Sequence, residues 1–234
     1  MGKFGYRVAE SNLSALDEAK LVDYLNEIDF SGNPGIDTIP EKIEVCKELQ
    51  KLEGANCALT KIPAQVCVSV RELKYIDLCN NKIVELPPEL AKLSALTELY
   101  LSANALSGSI PDEVLAGLTS LEFLYLDDNR LTSIGSLAAC SALWELKLSG
   151  NALTELPTLG SHGDLELFKI GGNQITSVPA GYFEATPLVK EIEMNNNKLT
   201  SLPDGAYPES ITSFDMTGNA VDDVPAAIAD KVKK

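Results

Sequence analysis

The sequence predicts an α/β solenoid, a curved horseshoe with a parallel β-sheet on its concave side and short helices, 3₁₀ turns and loops on its convex side. Three observations predict this fold. The pattern L-x-x-L-x-L-x-x-N-x-L recurs nine times in register, twice in a looser form. Its Asn position, here called the anchor, returns every 22–25 residues, inside the interval of about 20–29 residues typical of such stacked repeats. A step from Ile, Leu or Val to Pro closes eight of the nine units. The anchors are Asn33, Cys57, Asn81, Asn104, Asn129, Asn151, Asn173, Asn197 and Asn219.

Each unit is expected to begin with a short strand, because its first apolar residues alternate with other residues at a period of two. Stacking the units buries the Leu side chains in one continuous core that no single unit could close. The anchor Asn carries amide donors and a carbonyl acceptor, so it can satisfy backbone groups where the chain leaves the sheet. Pro then opens the convex segment. Residues 88–95 and 111–120 are long enough for one or two helical turns.

The first two units depart from the pattern. Residues 25–40 carry one extra residue after Asn33. In residues 49–63, Cys57 stands at the anchor and Gly54 stands at a Leu position. Cysteine can fill the anchor position as a weaker hydrogen-bond donor.

The repeats resemble those of leucine-rich repeat proteins over about residues 25–228. Most units look like the Asn-x-Leu-x-x-Leu-Pro type of intracellular Ras-group and scaffold proteins, and residues 104–111 look like the plant-type variant. The resemblance implies a protein-binding surface on the concave sheet. The motif specifies the fold strongly and the function only weakly.

The two ends of the stack need covers, because an open stack exposes its Leu layers. Residues 1–24 are predicted to form an N-terminal cap that consists of a degenerate repeat and a short helix, with an edge strand at Tyr6–Val8 and Ser11 at the anchor position. Nine repeats then occupy residues 25–225. Residues 226–234 are predicted to form a capping tail, a short helix with Ile228 and Val232 turned inward. The alternative is that a partner covers the C-terminal repeat through an end-to-end contact.

Composition and charge narrow the function classes. The chain has 34 acidic and 19 basic residues and a net charge of −15, so nucleic acid and anionic membrane surfaces are disfavoured partners. It has no apolar run of membrane-spanning length, so membrane insertion is not expected, and its N-terminus lacks the apolar segment of a secretory signal. Five scattered cysteines without a C-x-x-C motif favour a reducing compartment. The predicted location is therefore cytoplasmic.

The residues between the Leu positions of each strand are expected to face the concave surface. Among the two central outward positions of the nine units, nine residues are acidic, three are basic and four are aromatic. The four aromatic residues fall in three consecutive units, which predicts a patch of roughly 10–15 Å across a sheet with strands about 4.8 Å apart. An apolar patch with a charged rim is typical of an interface. The alternative is that strands simply favour aromatic residues.

The predicted partner site consists of this patch, its border and its rim. Trp144 is expected to border the patch, Asp77, Glu98 and Asp127 to form an acidic rim, and Lys147 and Lys169 to form a small basic stripe beside it. Such a rim favours a protein partner of basic or mixed charge. The complete set is Tyr75, Asp77, Glu98, Tyr100, Phe123, Tyr125, Asp127, Trp144, Lys147 and Lys169.

Catalytic chemistry is not expected. The single histidine, His162, lies in a loop where it is predicted to be solvated, and nucleophilic catalysis needs a base within hydrogen-bonding reach of its nucleophile. No cofactor or metal motif is present. Cys79 is expected to face outward with no adjacent cation to lower its pKa. The sequence thus favours a non-catalytic adaptor, scaffold or regulatory subunit over two alternatives, the recognition domain of a secreted or surface receptor and a structural subunit of a large assembly.

Overall fold

The computed structural model describes residues 4–233, and residues 1–3 and 234 of the predicted cap and tail lie outside the described residues. Within this part of the chain, eleven strands form one parallel sheet in the order β1-β2-β3-β4-β5-β7-β9-β10-β11-β12-β13, and β6 pairs with β8 in a second sheet. The strands are β1 Gly5–Arg7, β2 Glu27–Asp29, β3 Lys51–Glu53, β4 Tyr75–Asp77, β5 Glu98–Tyr100, β6 Ser107–Ile110, β7 Phe123–Tyr125, β8 Arg130–Ile134, β9 Glu145–Lys147, β10 Leu167–Lys169, β11 Glu191–Glu193, β12 Ser213–Asp215 and β13 Val232–Lys233.

The large sheet follows the predicted register. In the large sheet, the central residue of each strand from β2 to β12 is buried, and the residues on either side of it face the concave surface. The buried residues of all units join a single apolar core. The predicted α/β solenoid is therefore confirmed, because a pairing offset of one residue would have turned the Leu layers toward solvent.

The convex side carries only short helical segments. Five of the seven in residues 4–233 begin directly after a Pro, which occupies the N-cap position, where its missing N–H leaves no donor unpaired. None of them is long and apolar enough to cross a membrane. The segments are α1 Ala64–Ser69, α2 Asp112–Leu115 and the 3₁₀ turns Glu18–Lys20, Glu41–Val45, Pro88–Lys92, Tyr182–Ala185 and Ala226–Ile228.

The anchor asparagines connect each unit to the one before it. Asn173 shows the pattern: its amide nitrogen donates to the carbonyls of Leu148, Ile170 and Gly171 at 2.9, 3.0 and 3.2 Å, and its Oδ1 accepts the N–H of Leu153 at 3.0 Å. The predicted bonding of the anchors to backbone is confirmed at every Asn of the series. Some of them, such as Asn151, are half-buried rather than fully buried.

Cys57 lacks the side-chain oxygen with which the asparagine anchors accept an N–H from the preceding unit. The extra residue of the first unit explains why this oxygen is not required. In the other units the N–H two residues after an anchor bonds to the next anchor's Oδ1, as Leu59 does to Asn81. In the first unit the extra residue lets the Ile36 N–H turn back to the Asn33 carbonyl at 2.9 Å. Cys57 therefore needs only to donate, and its Sγ lies 3.4 Å from the Phe30 carbonyl.

Gly54 stands at a Leu position because its neighbour in the stack is larger than Leu. Phe30 occupies the same position one unit earlier and is fully buried. A Cβ at Gly54 would lie 2.3 Å from Cζ of the Phe30 ring. The two residues form a large-and-small pair that fills the space of two leucines.

The second sheet was not anticipated by the sequence analysis. β6 lies in the unit with the plant-type motif and pairs in parallel with β8, which lies in the unit closed by Gly135. Gly135 approaches the preceding unit so closely that a Cβ would lie 2.6 Å from the Asp112 nitrogen. Both units thus continue in extended conformation beyond the anchor, and they pair because they are neighbours.

The N-terminal end of the stack agrees with the prediction better than the C-terminal end does. The predicted edge strand at Tyr6–Val8 lies one residue earlier, at β1, with Tyr6 paired to Ile28. The predicted C-terminal helix is wrong beyond a single 3₁₀ turn. Ile228 is buried and Val232 packs against the core, as expected, but Val232 does so from strand β13, where it pairs with Phe214. The unpaired edge of β12 offers the tail backbone hydrogen-bond partners that a helix would have left unused.

Deleting residues 1–24 is expected to cause aggregation, because it exposes the edge of β2 and the apolar layer of Leu25, Ile28 and Phe30. Size-exclusion chromatography and thermal unfolding would measure the loss, with deletion of residues 1–3 alone as the matched control. A 1–24 deletion variant that is as soluble and as stable as the parent would show that the N-terminal cap lies elsewhere.

Candidate functional site

The predicted patch forms one continuous row of aromatic rings on the concave sheet. Strands β4, β5 and β7 are consecutive neighbours, so their outward residues meet across the sheet. Ring centroids are 5.4 Å apart for Tyr75 and Tyr100, 4.7 Å for Tyr100 and Tyr125, and 6.5 Å for Phe123 and Tyr125. Trp144 extends the row, with its ring 5.4 Å from that of Phe123. These five residues are called the aromatic ladder below.

The rings of the ladder pack against one another and remain partly exposed to solvent. Its tyrosines and Phe123 are half-buried, and 43% of Trp144 is exposed. Edge-to-face and tilted contacts of this kind stabilise aromatic pairs by about 0.5–1.5 kcal/mol beyond area burial. The ladder is therefore a rigid apolar surface, which loses little side-chain entropy when a partner covers it.

Two lysines of the chain lie on the outer tyrosines of the ladder. The Lys51 ammonium is 4.7 Å from the centroid of the Tyr75 ring, and the Lys147 ammonium is 3.8 Å from that of Tyr125. Lys51 was not among the predicted site residues, although its outward position one strand before Tyr75 was a signal for it. Among the described residues, no cation lies on Tyr100, the central tyrosine.

The predicted basic stripe is neutralised by the chain itself. Lys147 and Lys169 do lie side by side, but Lys147 pairs with Glu145 at 3.1 Å and Lys169 pairs with Glu193 at 2.7 Å. Burial lowers the pKa of Lys147, but hydrogen bonds to Tyr125 and Glu145 outweigh this effect and leave the pKa raised. The sequence could not show these pairs, because it does not specify which neighbour a flexible side chain contacts.

The acidic rim has two carboxylates without an ion pair. Asp77 accepts the Cys79 N–H at 3.0 Å, and Asp127 accepts the Ser149 N–H at 2.7 Å. In the described part of the chain, neither has a lysine or arginine nitrogen within ion-pair distance. Burial raises the pKa of Asp127, although the Ser149 N–H and the charge of Lys147 act to lower it. Glu98 instead accepts the Tyr100 hydroxyl at 2.5 Å.

Burial is the main cause that raises the pKa of the three ladder tyrosines. Neighbouring carboxylates add to the effect: Asp77 raises the pKa of Tyr75, and the hydrogen bonds to Glu98 and Glu145 raise those of Tyr100 and Tyr125. The phenols are therefore neutral hydrogen-bond donors at physiological pH, and the negative charge of the site resides on the carboxylates.

A family model for leucine-rich repeats matches residues 47–106 and 107–153, the units that contain the ladder. The chain is a leucine-rich repeat protein in these units. Two relatives illustrate its similarity. The plant intracellular Ras-group-related LRR protein 8 of Oryza sativa subsp. japonica is 33% identical over 39% of this chain and 25% of its own length. The receptor-like kinase TMK2 of Arabidopsis thaliana is 41% identical over 52% of this chain and 12% of its own length.

A solved leucine-rich repeat structure matches nearly the whole chain. It is the ectodomain of the plant membrane receptor kinase GASSHO1/SCHENGEN3 from Arabidopsis thaliana, in complex with CASPARIAN STRIP INTEGRITY FACTOR 2. The match has a TM-score of 0.72 at 22% identity and covers 98% of this chain and 34% of that chain. At this identity the similarity supports the fold alone. Leucine-rich repeats generally mediate protein–protein interaction, and this chain spans at most a quarter of the two relatives named above.

The environment of His162 differs from the prediction. His162 is fully buried rather than solvated, because its backbone N–H donates to the Ala185 carbonyl and holds the loop against the next unit. Its Nδ1 lies 3.0 Å from the Gly160 carbonyl, and its Nε2 has no hydrogen-bond partner in the described residues. The signal for this burial was absent from the local sequence, since the bond crosses to another unit.

Two further features bear on chemistry. Cys79 lies beside the ladder as expected, and burial together with the charge of Asp77 raises the pKa of its thiol to about 12. It is therefore a thiol rather than a nucleophilic thiolate at physiological pH. Within residues 4–233, no three His, Cys, Asp or Glu side chains are grouped so that they could hold a metal ion.

Proposed function

We propose that this chain is a non-catalytic interaction module, an adaptor, scaffold or regulatory subunit that binds a partner protein across the aromatic ladder of its concave face. The continuity of the ladder carries this proposal. Five aromatic side chains contact one another in a row, and the short convex segments leave that face of the sheet uncovered. Aromatic residues at the centre of an interface are the most frequent energetic anchors.

The electrostatics support a protein partner with positive charge. The unpaired carboxylates Asp77 and Asp127 lie at the edge of the ladder, whereas the nearby lysines are paired internally. A cytoplasmic location is part of the proposal and is supported by five free cysteines, four of them buried, and by the relative of the intracellular Ras-group type.

A Tyr100→Ala, Tyr125→Ala double variant is expected to bind the partner at least roughly tenfold more weakly, because truncating a central aromatic anchor costs about 1–3 kcal/mol. Affinity purification with quantitative mass spectrometry would identify proteins retained by the wild type and lost by the variant. The affinity of each purified candidate would then be measured by calorimetry.

The matched control removes exposed apolar area away from the ladder. Val84 and Leu188 are 50% and 48% exposed and lie outside the large sheet, so a Val84→Ala, Leu188→Ala variant should keep full affinity. Because the ladder rings pack on each other, thermal unfolding must show that both variants are folded. A folded ladder variant with wild-type affinity would contradict the proposal.

A second candidate is the recognition domain of a secreted or surface receptor. It is favoured by the similarity to TMK2 over 52% of the chain and by Asn12, which is exposed and begins an Asn-Leu-Ser glycosylation sequon. Mass spectrometry of the protein from its native source separates the two candidates. Glycan on Asn12 would support the receptor, and an unmodified, reduced chain would support the intracellular module.

A further inference from the structure

Within residues 4–233, the central tyrosine of the ladder lacks the lysine contact that both outer tyrosines have. Tyr75 and Tyr125 each carry a lysine ammonium over the ring, and each of these lysines also pairs with a carboxylate, Lys51 with Glu53 at 3.0 Å and Lys147 with Glu145 at 3.1 Å. The chain thus builds the same arrangement twice. An aromatic face and a carboxylate together hold one cation.

Tyr100 has the ring and the carboxylates of this arrangement but no cation among the described residues. Asp77 is its direct pairing neighbour in β4. On the side of β7, Asp127 lies beside Ser102, whose hydroxyl is 3.5 Å from the Asp127 carboxylate. Each carboxylate uses one oxygen to accept a backbone N–H. A positive group above Tyr100 would therefore meet an aromatic face with Asp77 directly beside it on β4 and Asp127 diagonally across from it, two residues beyond Tyr125.

We propose that the partner protein places an arginine side chain on Tyr100, with its guanidinium stacked on the ring and hydrogen-bonded to Asp77 and Asp127. This inference rests on the proposed function and specifies the chemistry of the partner. Arginine fits better than lysine, because a planar guanidinium can stack on a ring and donate in two directions at once. The partner's arginine replaces the cation that Lys51 and Lys147 supply at the outer tyrosines.

The burial of Asp127 supports the same assignment. Its charge is held in a half-buried position where desolvation raises its pKa. A guanidinium at ion-pair distance would stabilise the charged form. The lysine nearest to it, Lys147, is already held by Glu145 and by the face of Tyr125.

The test uses a small probe, N-acetyl-arginine N-methylamide, titrated into the full chain and followed by the backbone amide resonances of Cys79, Tyr100 and Ser102. Its control is the citrulline analogue, which has nearly the same shape without the charge. We expect the arginine probe to shift these resonances with an apparent affinity about tenfold higher than that of the citrulline probe. The lysine analogue should bind more weakly than arginine.

Two variants of the chain assign the effect to the site. Asp77→Asn with Asp127→Asn keeps the oxygen that accepts each backbone N–H and removes both charges, so binding of the arginine probe should fall about tenfold. The matched control is Asp29→Asn with Asp215→Asn. Asp29 and Asp215 occupy on β2 and β12 the outward position that Asp77 has on β4, and like Asp77 they accept the N–H two residues on. Their replacement should leave binding unchanged.

The outcomes separate this inference from the proposed function. Equal shifts by the arginine and citrulline probes, stronger binding of the lysine analogue, or binding unchanged in the Asp77→Asn, Asp127→Asn variant would overturn the arginine site. In that case, loss of partner capture by the Tyr100→Ala, Tyr125→Ala variant would still support the proposed function. Conversely, arginine-probe binding at Tyr100 combined with undiminished partner capture by the Tyr100→Ala, Tyr125→Ala variant would retain an arginine-binding site. It would reject both the ladder as the partner surface and the partner's arginine as the occupant of the site.

Discussion

A Gly54→Leu variant is expected to lose about 3 kcal/mol of its free energy of unfolding, although Leu is the residue that the repeat pattern favours at this position. The added side chain would start 2.3 Å from the Phe30 ring, which is fully buried and has no free space to move into. Urea-induced unfolding monitored by circular dichroism would measure the shift of the midpoint.

The compensating change provides a stringent test. Phe30→Leu alone should cost about 1–2 kcal/mol through the cavity that it leaves beside Gly54. The double variant Phe30→Leu, Gly54→Leu restores two leucines, the pair that adjacent units such as Leu78 and Leu101 already have. It should recover about 2 kcal/mol relative to the sum of the single changes. Additive losses would show that Phe30 does not determine the glycine.

An Asn173→Ala variant is expected to cost about 3 kcal/mol, because it leaves three buried carbonyls and one N–H without their side-chain partner. The matched change at the irregular anchor, Cys57→Ala, should cost only about 1 kcal/mol, since Cys57 donates weakly and the Ile36 N–H of the first unit is satisfied by the Asn33 carbonyl instead. Both midpoints can be measured under the same unfolding conditions.

The comparison between these two anchors distinguishes hydrogen bonding from side-chain volume. Both side chains are small and buried, so a pure packing effect predicts similar losses. If Cys57→Ala is as destabilising as Asn173→Ala, the extra residue of the first unit does not relieve the anchor of its acceptor role.

The aromatic ladder was predictable as a set of positions but not as a surface with a defined charge. The period of two placed Tyr75, Tyr100, Phe123 and Tyr125 on the concave face, and the structure puts them there in contact. The lysines beside them were expected to present positive charge. Each instead contacts a neighbouring carboxylate, because long side chains on adjacent strands can select among several partners within reach.

By itself, the sequence determined the repeat architecture, the strand register and the identity of the anchors. These features are local: alternation with a period of two and an amide at a fixed distance specify each strand and its exit within one unit. Tertiary structure alone decided the second sheet of β6 and β8, the burial of His162, the terminal strand β13 and the lysine contacts on Tyr75 and Tyr125. Each of these depends on what the neighbouring unit presents across the stack, and one unit's sequence carries no record of that contact.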